Sequence, residues 1–185
     1  MQVPLTYINL IEYLQAEDYS QIRHEYLNGQ VFGMTGGSRQ HNLITGNIHN
    51  RLKNHLRGSG CQVFASDMKV RIETDNVFYY PDVVVTCNSQ DTEKFFLTKP
   101  CLIVEVLSPS TENIDRREKL LTYKKIETLQ EYVLVSQDNI EVELCRKDKD
   151  DNWVKYILSK NDSVTLDSVK LELTMAEIYE DVLNV

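Results

Sequence analysis

Two acidic residues of this sequence stand in otherwise apolar segments. Asp82 follows Pro81 and precedes three valines, and Glu105 lies in the middle of the apolar run 102–107. Carboxylates are rarely buried unless they are paired or bind a metal. If the two segments are adjacent strands, both acids can converge on one cation, because Mg²⁺ typically takes one or two carboxylates, waters and substrate phosphate oxygens. The pattern therefore predicts a Mg²⁺ or Mn²⁺ site that activates a water for attack on phosphorus.

A lysine lies on the next segment of the chain. Asp115, Lys119 and Tyr123 are spaced i, i+4 and i+8, which places them along one face of a predicted helix. A turn at 108–110 brings this helix back beside the end of the Glu105 strand, so the Lys119 ammonium could reach the same site. There it would assist the water or neutralise the phosphate. The alternative on spacing alone is an ordinary surface ion pair between Asp115 and Lys119.

The predicted helices and one hairpin come from local patterns. Apolar residues at helical spacing predict helices over 5–16 and 40–57, the second capped by Ser38. Asn28-Gly29 separates two strand-like segments, and Asn-Gly favours a two-residue hairpin turn because both positions tolerate positive φ. A further helix is predicted from residue 110 or 111 to about 128, and a short one over 174–183.

The middle of the chain is rich in predicted strands. Unbroken apolar runs within 79–86 and 101–107 are typical of strands covered on both faces. The other predicted strands are 61–72, 131–136, 140–146 and 153–158. Helices and strands are interleaved, so we expect an α/β (α+β) fold, with a mixed sheet flanked by helices. The length suits a single domain over 1–185.

Several blocks of the sequence resemble the Uma2 family, which is abundant in cyanobacteria and is grouped with the PD-(D/E)XK restriction-endonuclease-like nucleases. The blocks are Pro81-Asp82, then Glu105-Val106-Leu107-Ser108-Pro109-Ser110-Thr111, then Asp115, Lys119 and Tyr123, then 130–135. Segments 23–29, 34–37, 41–42 and 64–67 match its earlier part. The resemblance covers nearly the whole chain, and its specific part is the ordered set of blocks rather than any one of them.

The resemblance implies a restriction-endonuclease-like sheet core and assigns site residues. Asp82 and Glu105 would be catalytic metal ligands, and the backbone carbonyl of Val106 would be a further ligand. The lysine that this superfamily usually carries two positions after the glutamate is absent, because Leu107 stands there. The resemblance assigns the role of that lysine to Lys119 on the next helix.

Five more residues are candidates around this site. Glu25 corresponds to the N-terminal acid that often completes such sites, where a third carboxylate can hold a metal-bound water or a second cation. The alternative for Glu25 is an exposed hairpin residue. The possible supporting residues are Asp67, His41, Asp115 and Tyr123. His41 follows a glycine-rich loop that could face the site, and Tyr123 is expected to pack with its hydroxyl paired.

The charge of the chain constrains its partners. Twenty Lys and Arg against 28 Asp and Glu give a net charge of −8 and a pI near 5.0. This excludes a broad basic surface that coats nucleic acid. A carboxylate cluster would repel phosphate until a divalent cation binds, so we expect metal-dependent binding of nucleic acid, of DNA rather than RNA.

Compartment and cysteine chemistry give simpler expectations. No apolar stretch approaches the roughly 18 residues of a membrane span, and the start has no signal-peptide core. We therefore expect no membrane association and a cytoplasmic location. The cysteines are spaced too widely for Cys-x-x-Cys ligand pairs, so small reduced core thiols are expected rather than a disulfide framework.

Three functions remain open from the sequence. The first is a metal-dependent endonuclease in which Asp82 and Glu105 hold the activated water and Lys119 assists. The second is a catalytically inactive nuclease-fold module for binding or assembly, since folds outlive functions. The third is a hydrolase of a smaller phosphate ester. A homodimer is also expected, with Trp153 and Tyr156 on a candidate interface.

Overall fold

The computed structural model describes residues 7–109 and 111–183. Its helices are α1 (Leu10–Glu17), α2 (Arg39–His55), α3 (Glu112–Ile114), α4 (Leu120–Tyr123) and α5 (Met175–Ile178), with a π-helical turn at Asp115–Lys119 between α3 and α4. Its strands are β1 (His24–Leu27), β2 (Gln30–Gly33), β3 (Gln62–Ala65), β4 (Lys69–Ile72), β5 (Val77–Tyr79), β6 (Val83–Thr86), β7 (Phe96–Leu97), β8 (Leu102–Leu107), β9 (Glu131–Ser136), β10 (Glu141–Lys147), β11 (Trp153–Ser159), β12 (Ser163–Leu166) and β13 (Leu171–Thr174). In this described part of the chain, no helix is long and apolar enough to span a bilayer.

Two sheets form the centre of the fold. One has five strands in the order β2-β1-β5-β4-β7, and the other has six in the order β11-β10-β9-β8-β6-β3. The pairs β8–β9 and β4–β7 are parallel, whereas the neighbours of β8 and β4 on their other sides are antiparallel. Both sheets are therefore mixed. The α+β class expected from the sequence is confirmed.

Apolar side chains hold the layers together. α2, α5 and the β12–β13 hairpin pack on one face of the six-stranded sheet, where Ile44, Ile48 and Leu52 are buried. The other face packs against the five-stranded sheet and the α3–α4 segment. α1 covers the outer face of the five-stranded sheet through Tyr13, whose ring stacks on Tyr26 with centroids 4.8 Å apart. β6 and β8, in the six-stranded sheet, are thus covered on both faces.

The N-terminal elements agree with their local signals. The predicted hairpin is present, with positive φ at Asn28 (45°) and Gly29 (98°). Ser38 caps α2 by accepting a hydrogen bond from the His41 N–H, as predicted. α1 begins later than the spacing suggests, because a capping box that starts at Asn9 fixes its first turn at Leu10. The predicted start at residue 5 lies outside the described residues.

The predicted strand over 79–86 is in fact two strands of different sheets. The chain leaves the five-stranded sheet after Tyr79 and enters the six-stranded sheet at Val83. Pro81 lies at the break and has no N–H to donate to a ladder. β6 then pairs antiparallel with β8, Val83 opposite Val104. The break therefore places Asp82 at the very start of β6, beside Glu105.

The long helix expected from residue 110 or 111 to about 128 is shorter and irregular. It ends at Tyr123, and Ser110 lies outside the described residues. Tight turns come next, which bury Ile126 and Leu129 in the core. The chain must return to the beginning of β8 to start the parallel strand β9, and the Gln130 N–H donates to the Cys101 carbonyl at 2.9 Å. A continuous helix to 128 would carry the chain past this point.

The expectation that the cysteines are reduced core thiols is wrong for one pair. Cys61 and Cys87 form a disulfide with their Cα atoms 4.1 Å apart, and Cys101 and Cys145 are free. Cys61 precedes β3 and Cys87 follows β6. These strands pair antiparallel with Gln62 opposite Thr86, which brings the two cysteines together. Only the strand register reveals this pairing, because 26 positions separate the cysteines in sequence.

Candidate active site

Asp82 and Glu105 face each other where β6 begins. The Asp82 N–H donates to Glu105 Oε2 at 3.3 Å, and the Val106 N–H donates to Asp82 Oδ2 at 2.7 Å. The Val106 backbone also interacts with the imidazole of His41, which lies beside Asp82. The two carboxylates and the carbonyl that the sequence proposes as metal ligands are therefore side by side.

The Lys119 ammonium lies at the centre of a cluster of carboxylates. Its Nζ is 3.0 Å from Glu25 Oε1, 3.1 Å from Glu105 Oε1 and 3.2 Å from Asp115 Oδ1. The Lys119 side chain is only 8% exposed, and those of Glu105 and Asp115 are still more buried. The Asp115–Lys119 pair is thus not the exposed surface pair that spacing alone allowed. It belongs to the interior of the site.

The π-helical turn at Asp115–Lys119 carries this part of the cluster. π-helical turns are rare and are frequently found at functional sites. The Tyr132 hydroxyl donates to the Asp115 carbonyl at 3.1 Å, which supports the turn from the adjacent sheet. Tyr123, at the end of α4, is fully buried and donates its hydroxyl to Glu105 Oε1 at 3.2 Å. The irregular helix therefore presents an acid, a lysine and a tyrosine to Glu105.

Burial and charge shift the protonation of the cluster. Burial raises the pKa of Glu105 well above its ordinary value; the nearby Lys119 opposes this, and the other carboxylates add to it. Burial by itself lowers the pKa of Lys119, but Glu105, Glu25 and Asp115 outweigh that effect and raise it well above its usual range. The three carboxylates therefore favour the protonated form of Lys119, which can donate hydrogen bonds.

His41 reaches the same site from the first turn of α2. Its Nε2 lies 3.2 Å from Asp82 Oδ2. Burial lowers the pKa of His41, but its hydrogen bond and charge interaction with Asp82 outweigh this and raise it overall. Gly37 makes room for the ring, because a Cβ at that position would lie 2.9 Å from His41 Nδ1. The glycine-rich loop is therefore needed to hold the imidazole against Asp82.

These groups open into a cavity of about 480 Å³. Its walls come from the glycine-rich loop before α2, the ends of β6 and β8, and the π-helical turn. The lining residues are Met34, Thr35, Gly36, Gly37, Ser38, His41, Asn42, Thr45, Ser66, Tyr80, Asp82, Glu105, Val106, Ser108, Pro109, Thr111, Asp115, Lys119 and Gln137. Glu25 does not line it. Glu25 touches the site through the Lys119 ammonium and is not the exposed hairpin residue that the sequence left open.

One predicted candidate lies elsewhere, and one cavity residue escaped the sequence. The Asp67 side chain is 72% exposed and pairs with Arg23. Gln137, assigned to a polar turn by its sequence, lines the cavity and accepts a hydrogen bond from the Ser38 hydroxyl at 2.6 Å. Its position depends on β9 lying parallel to β8, so that both strands end at one edge. No local pattern around Gln137 reveals this.

The oxygen groups at the site fit a hard divalent cation. Mg²⁺ prefers oxygen ligands and keeps several waters, so two carboxylates and a carbonyl are a suitable protein share. The buried Asp115 Oδ1 and Glu25 Oε1 lie 3.2 Å and 3.0 Å from the Lys119 ammonium, which partly neutralises them. Within residues 7–109 and 111–183, no three His, Cys, Asp or Glu side chains already surround a metal position. Waters and substrate oxygens would therefore have to complete the coordination.

The fold has a known counterpart among solved structures. A protein of Anabaena variabilis, described as a "putative nuclease belonging to DUF820", matches with a TM-score of 0.79. The match covers 95% of this chain and 99% of the other at 18% sequence identity, so it concerns the fold alone. The two proteins thus share one fold.

The chain belongs to the Uma2 family, which is described as "putative restriction endonuclease" and whose model matches residues 10–176. The uncharacterized Synechocystis protein slr1290 is 40% identical over 169 residues, which is 91% of this chain and 89% of the relative. A second uncharacterized Synechocystis protein, sll1609, is 31% identical over 164 residues, which is 86% of this chain and 93% of the relative. The family membership supports a nuclease-like function.

Proposed function

We propose that this protein is a divalent-metal-dependent endonuclease that hydrolyses phosphodiester bonds of DNA. The observation that carries this proposal is the convergence of the Asp82 and Glu105 carboxylates beside the Val106 backbone, with the Lys119 ammonium 3.1 Å from Glu105. Membership in a family described as "putative restriction endonuclease" supports the same reaction class.

In this proposal, Mg²⁺ or Mn²⁺ held by Asp82, Glu105 and the Val106 carbonyl would polarise the phosphate and lower the pKa of a bound water. Neighbouring groups of the protein orient the two carboxylates. The Val106 N–H and the His41 imidazole orient Asp82, and the Tyr123 hydroxyl orients Glu105. These contacts fix both carboxylates in directions that face the cavity.

Lys119 has an electrostatic role in this scheme. Because its pKa is raised, the ammonium stays protonated and donates to Glu105 while it supplies positive charge at the cavity wall. Glu25 and Asp115 hold it in place from two other sides. We therefore propose that Glu25 serves catalysis through Lys119, and Asp67, which pairs with Arg23 on the surface, has no part in it.

A catalytically inactive binding or assembly module is the second candidate. One observation favours it: Glu105 Oε1 is already engaged by both Lys119 and Tyr123, a self-contained arrangement that needs no cation. Titration calorimetry separates the two candidates. If neither Mg²⁺ nor Mn²⁺ binds at millimolar concentration, the second candidate replaces the first.

The protein is expected to cleave DNA when Mg²⁺ or Mn²⁺ is present, and EDTA should abolish the cleavage. Asp82→Asn should reduce cleavage at least about 100-fold, because the loss of even an outer partner of a metal ligand costs roughly 10–100-fold. Gel assays of single-stranded, supercoiled and linear duplex DNA, with RNA in parallel, measure this. Asp67→Asn is the matched control and should cleave like the wild type, because that carboxylate lies outside the cavity. Cleavage that persists in EDTA or in Asp82→Asn would contradict the proposal.

The proposal includes a homodimer that pairs two copies of β11. β11 is an edge of the six-stranded sheet, and its Tyr156 and Ile157 are 45% and 65% exposed. An exposed edge strand offers unpaired backbone groups to another chain. Trp153, the other residue expected at this face, is half-buried between Lys124 and Lys147. Light scattering should give twice the monomer mass, and Ile157→Lys should return it to one chain; a monomeric wild type would refute the pairing.

A further inference from the structure

Phe32 is an exposed aromatic residue beside the carboxylate cluster. β2 forms one edge of the five-stranded sheet, and Phe32 pairs with Glu25 of β1. Paired residues on neighbouring strands project from the same face of a sheet. Glu25 uses that face to reach Lys119. The Phe32 ring, in a residue that is 48% exposed, therefore lies on the face of the sheet that carries the site.

The same strand leads directly into the cavity. The Met34 N–H donates to the Arg23 carbonyl at 2.8 Å, which continues the β1–β2 pairing beyond Gly33. Alternate residues of an extended chain share one face, so Met34 lies on the face that carries Phe32. Met34 lines the cavity. Phe32 and Met34 thus form an apolar strip that runs from beside Glu25 into the cavity.

The charge around this strip determines what it can bind. Glu25, Asp115 and Glu105 surround the single lysine of the cluster and occupy its ammonium. A substrate phosphate would be repelled by these acids except where a cation is bound. A nucleobase is flat and uncharged, and bases of any sequence stack on aromatic side chains. The bases of a duplex are covered by their neighbours, whereas an unpaired base is free to stack.

We propose that Phe32 stacks on an unpaired nucleobase, which makes single-stranded nucleic acid the substrate class of this site. This inference rests on the proposed nuclease function for its biological meaning. The stacking contact itself needs no cleavage, so the binding of a cleavage-resistant strand measures it apart from catalysis. Its failure and the failure of the nuclease proposal can therefore be observed separately.

The test measures binding of cleavage-resistant oligonucleotides. Phosphorothioate 12-mers of dT and rU, each with one central 2-aminopurine, are titrated in Mg²⁺ buffer beside a 12-bp duplex, with anisotropy and base fluorescence recorded together. The variants are Phe32→Ala, Phe32→Leu and Phe32→Tyr. Phe95→Ala is the matched control, because Phe95 is also 48% exposed but immediately precedes β7 at the opposite edge of the same sheet. Circular dichroism verifies that each variant is folded.

The wild type should bind single strands more tightly than the duplex and quench the 2-aminopurine. Phe32→Ala and Phe32→Leu should weaken single-strand binding about 5- to 100-fold and remove the quenching, since stacking on one aromatic is worth that much. Phe32→Tyr and Phe95→Ala should stay within about twofold of the wild type, because they keep the ring at position 32. Unchanged binding in Phe32→Leu, or tighter binding of the duplex, would overturn the proposal whether or not the protein cleaves DNA.

Discussion

Lys119→Met is expected to lower the free energy of unfolding by about 3–5 kcal/mol and to abolish DNA cleavage. The ammonium lies within 3.2 Å of Glu25, Glu105 and Asp115. Removal of a buried charge leaves its partners uncompensated, and here three acids would face one another without a cation. Urea unfolding followed by circular dichroism gives the stability, and the gel assay gives the cleavage.

Lys125→Met is the control for Lys119→Met. Lys125 also forms an ion pair, with Asp75 Oδ1 at 2.7 Å, but its side chain is half exposed. Exposed pairs contribute about 0–1 kcal/mol, so this variant should be nearly as stable as the wild type and fully active. The double variant Lys119→Met/Glu105→Gln should recover part of the lost stability, because it removes one of the stranded acids. A Lys119→Met protein as stable as Lys125→Met would show that the cluster does not depend on the ammonium.

Glu105→Gln is expected to lose cleavage at least about 100-fold and yet to be more stable than the wild type at neutral pH. The folded-state pKa of Glu105 is raised, chiefly by burial, so the folded protein holds this proton more tightly than the unfolded chain. Stability therefore falls as pH rises from the ordinary carboxyl pKa, about 4.3, toward the raised value. Gln resembles the protonated acid and removes this loss. The gain should be present at pH 7 and should shrink as the pH falls toward the ordinary carboxyl pKa.

Urea unfolding of both proteins between pH 4 and 8 tests this prediction. The two stability curves should meet near pH 4 and separate as the pH rises. Glu118→Gln is the control, because Glu118 lies on the same π-helical turn but is exposed, and it should behave like the wild type. If Glu105→Gln is the less stable protein at pH 7, the charged Glu105–Lys119 pair stabilises the fold on balance and burial does not control this carboxyl group.

Elements that are specified by neighbouring residues could be predicted from the sequence. α2 has a cap and a regular apolar stripe, β8 is apolar at every position except Glu105, and the hairpin has its Asn-Gly turn. Elements decided by distant partners could not. The irregular end of the 110–128 segment results from the need to reach β9, and the Cys61–Cys87 disulfide results from the β3–β6 register.

The residues of the site likewise fall into those that the sequence predicts and those that it does not. Asp82 and Glu105 are conspicuous because a charge inside an apolar run is rare, and the structure places them side by side. The spacing of Asp115, Lys119 and Tyr123 predicted a shared face, and all three side chains turn toward Glu105 or its lysine. Spacing could not show that Glu25 reaches the Lys119 ammonium, because almost a hundred positions separate the two residues in sequence. That contact depends on how the two sheets pack, which no local pattern encodes.

A leucine stands two residues after Glu105, and the lysine of the site is carried on a helix instead. Leu107 is buried in the core between the two sheets, where an ammonium would be costly to place. β8 can therefore be apolar before and after Glu105 in sequence. The positive charge comes instead from Lys119, on a short irregular helix in another layer. Substitutions in that helix change the chemistry of the site and leave the strand pairing of β8 in place, even where, as for Lys119, they cost stability. Relatives of this chain could diverge in activity while they keep the same scaffold.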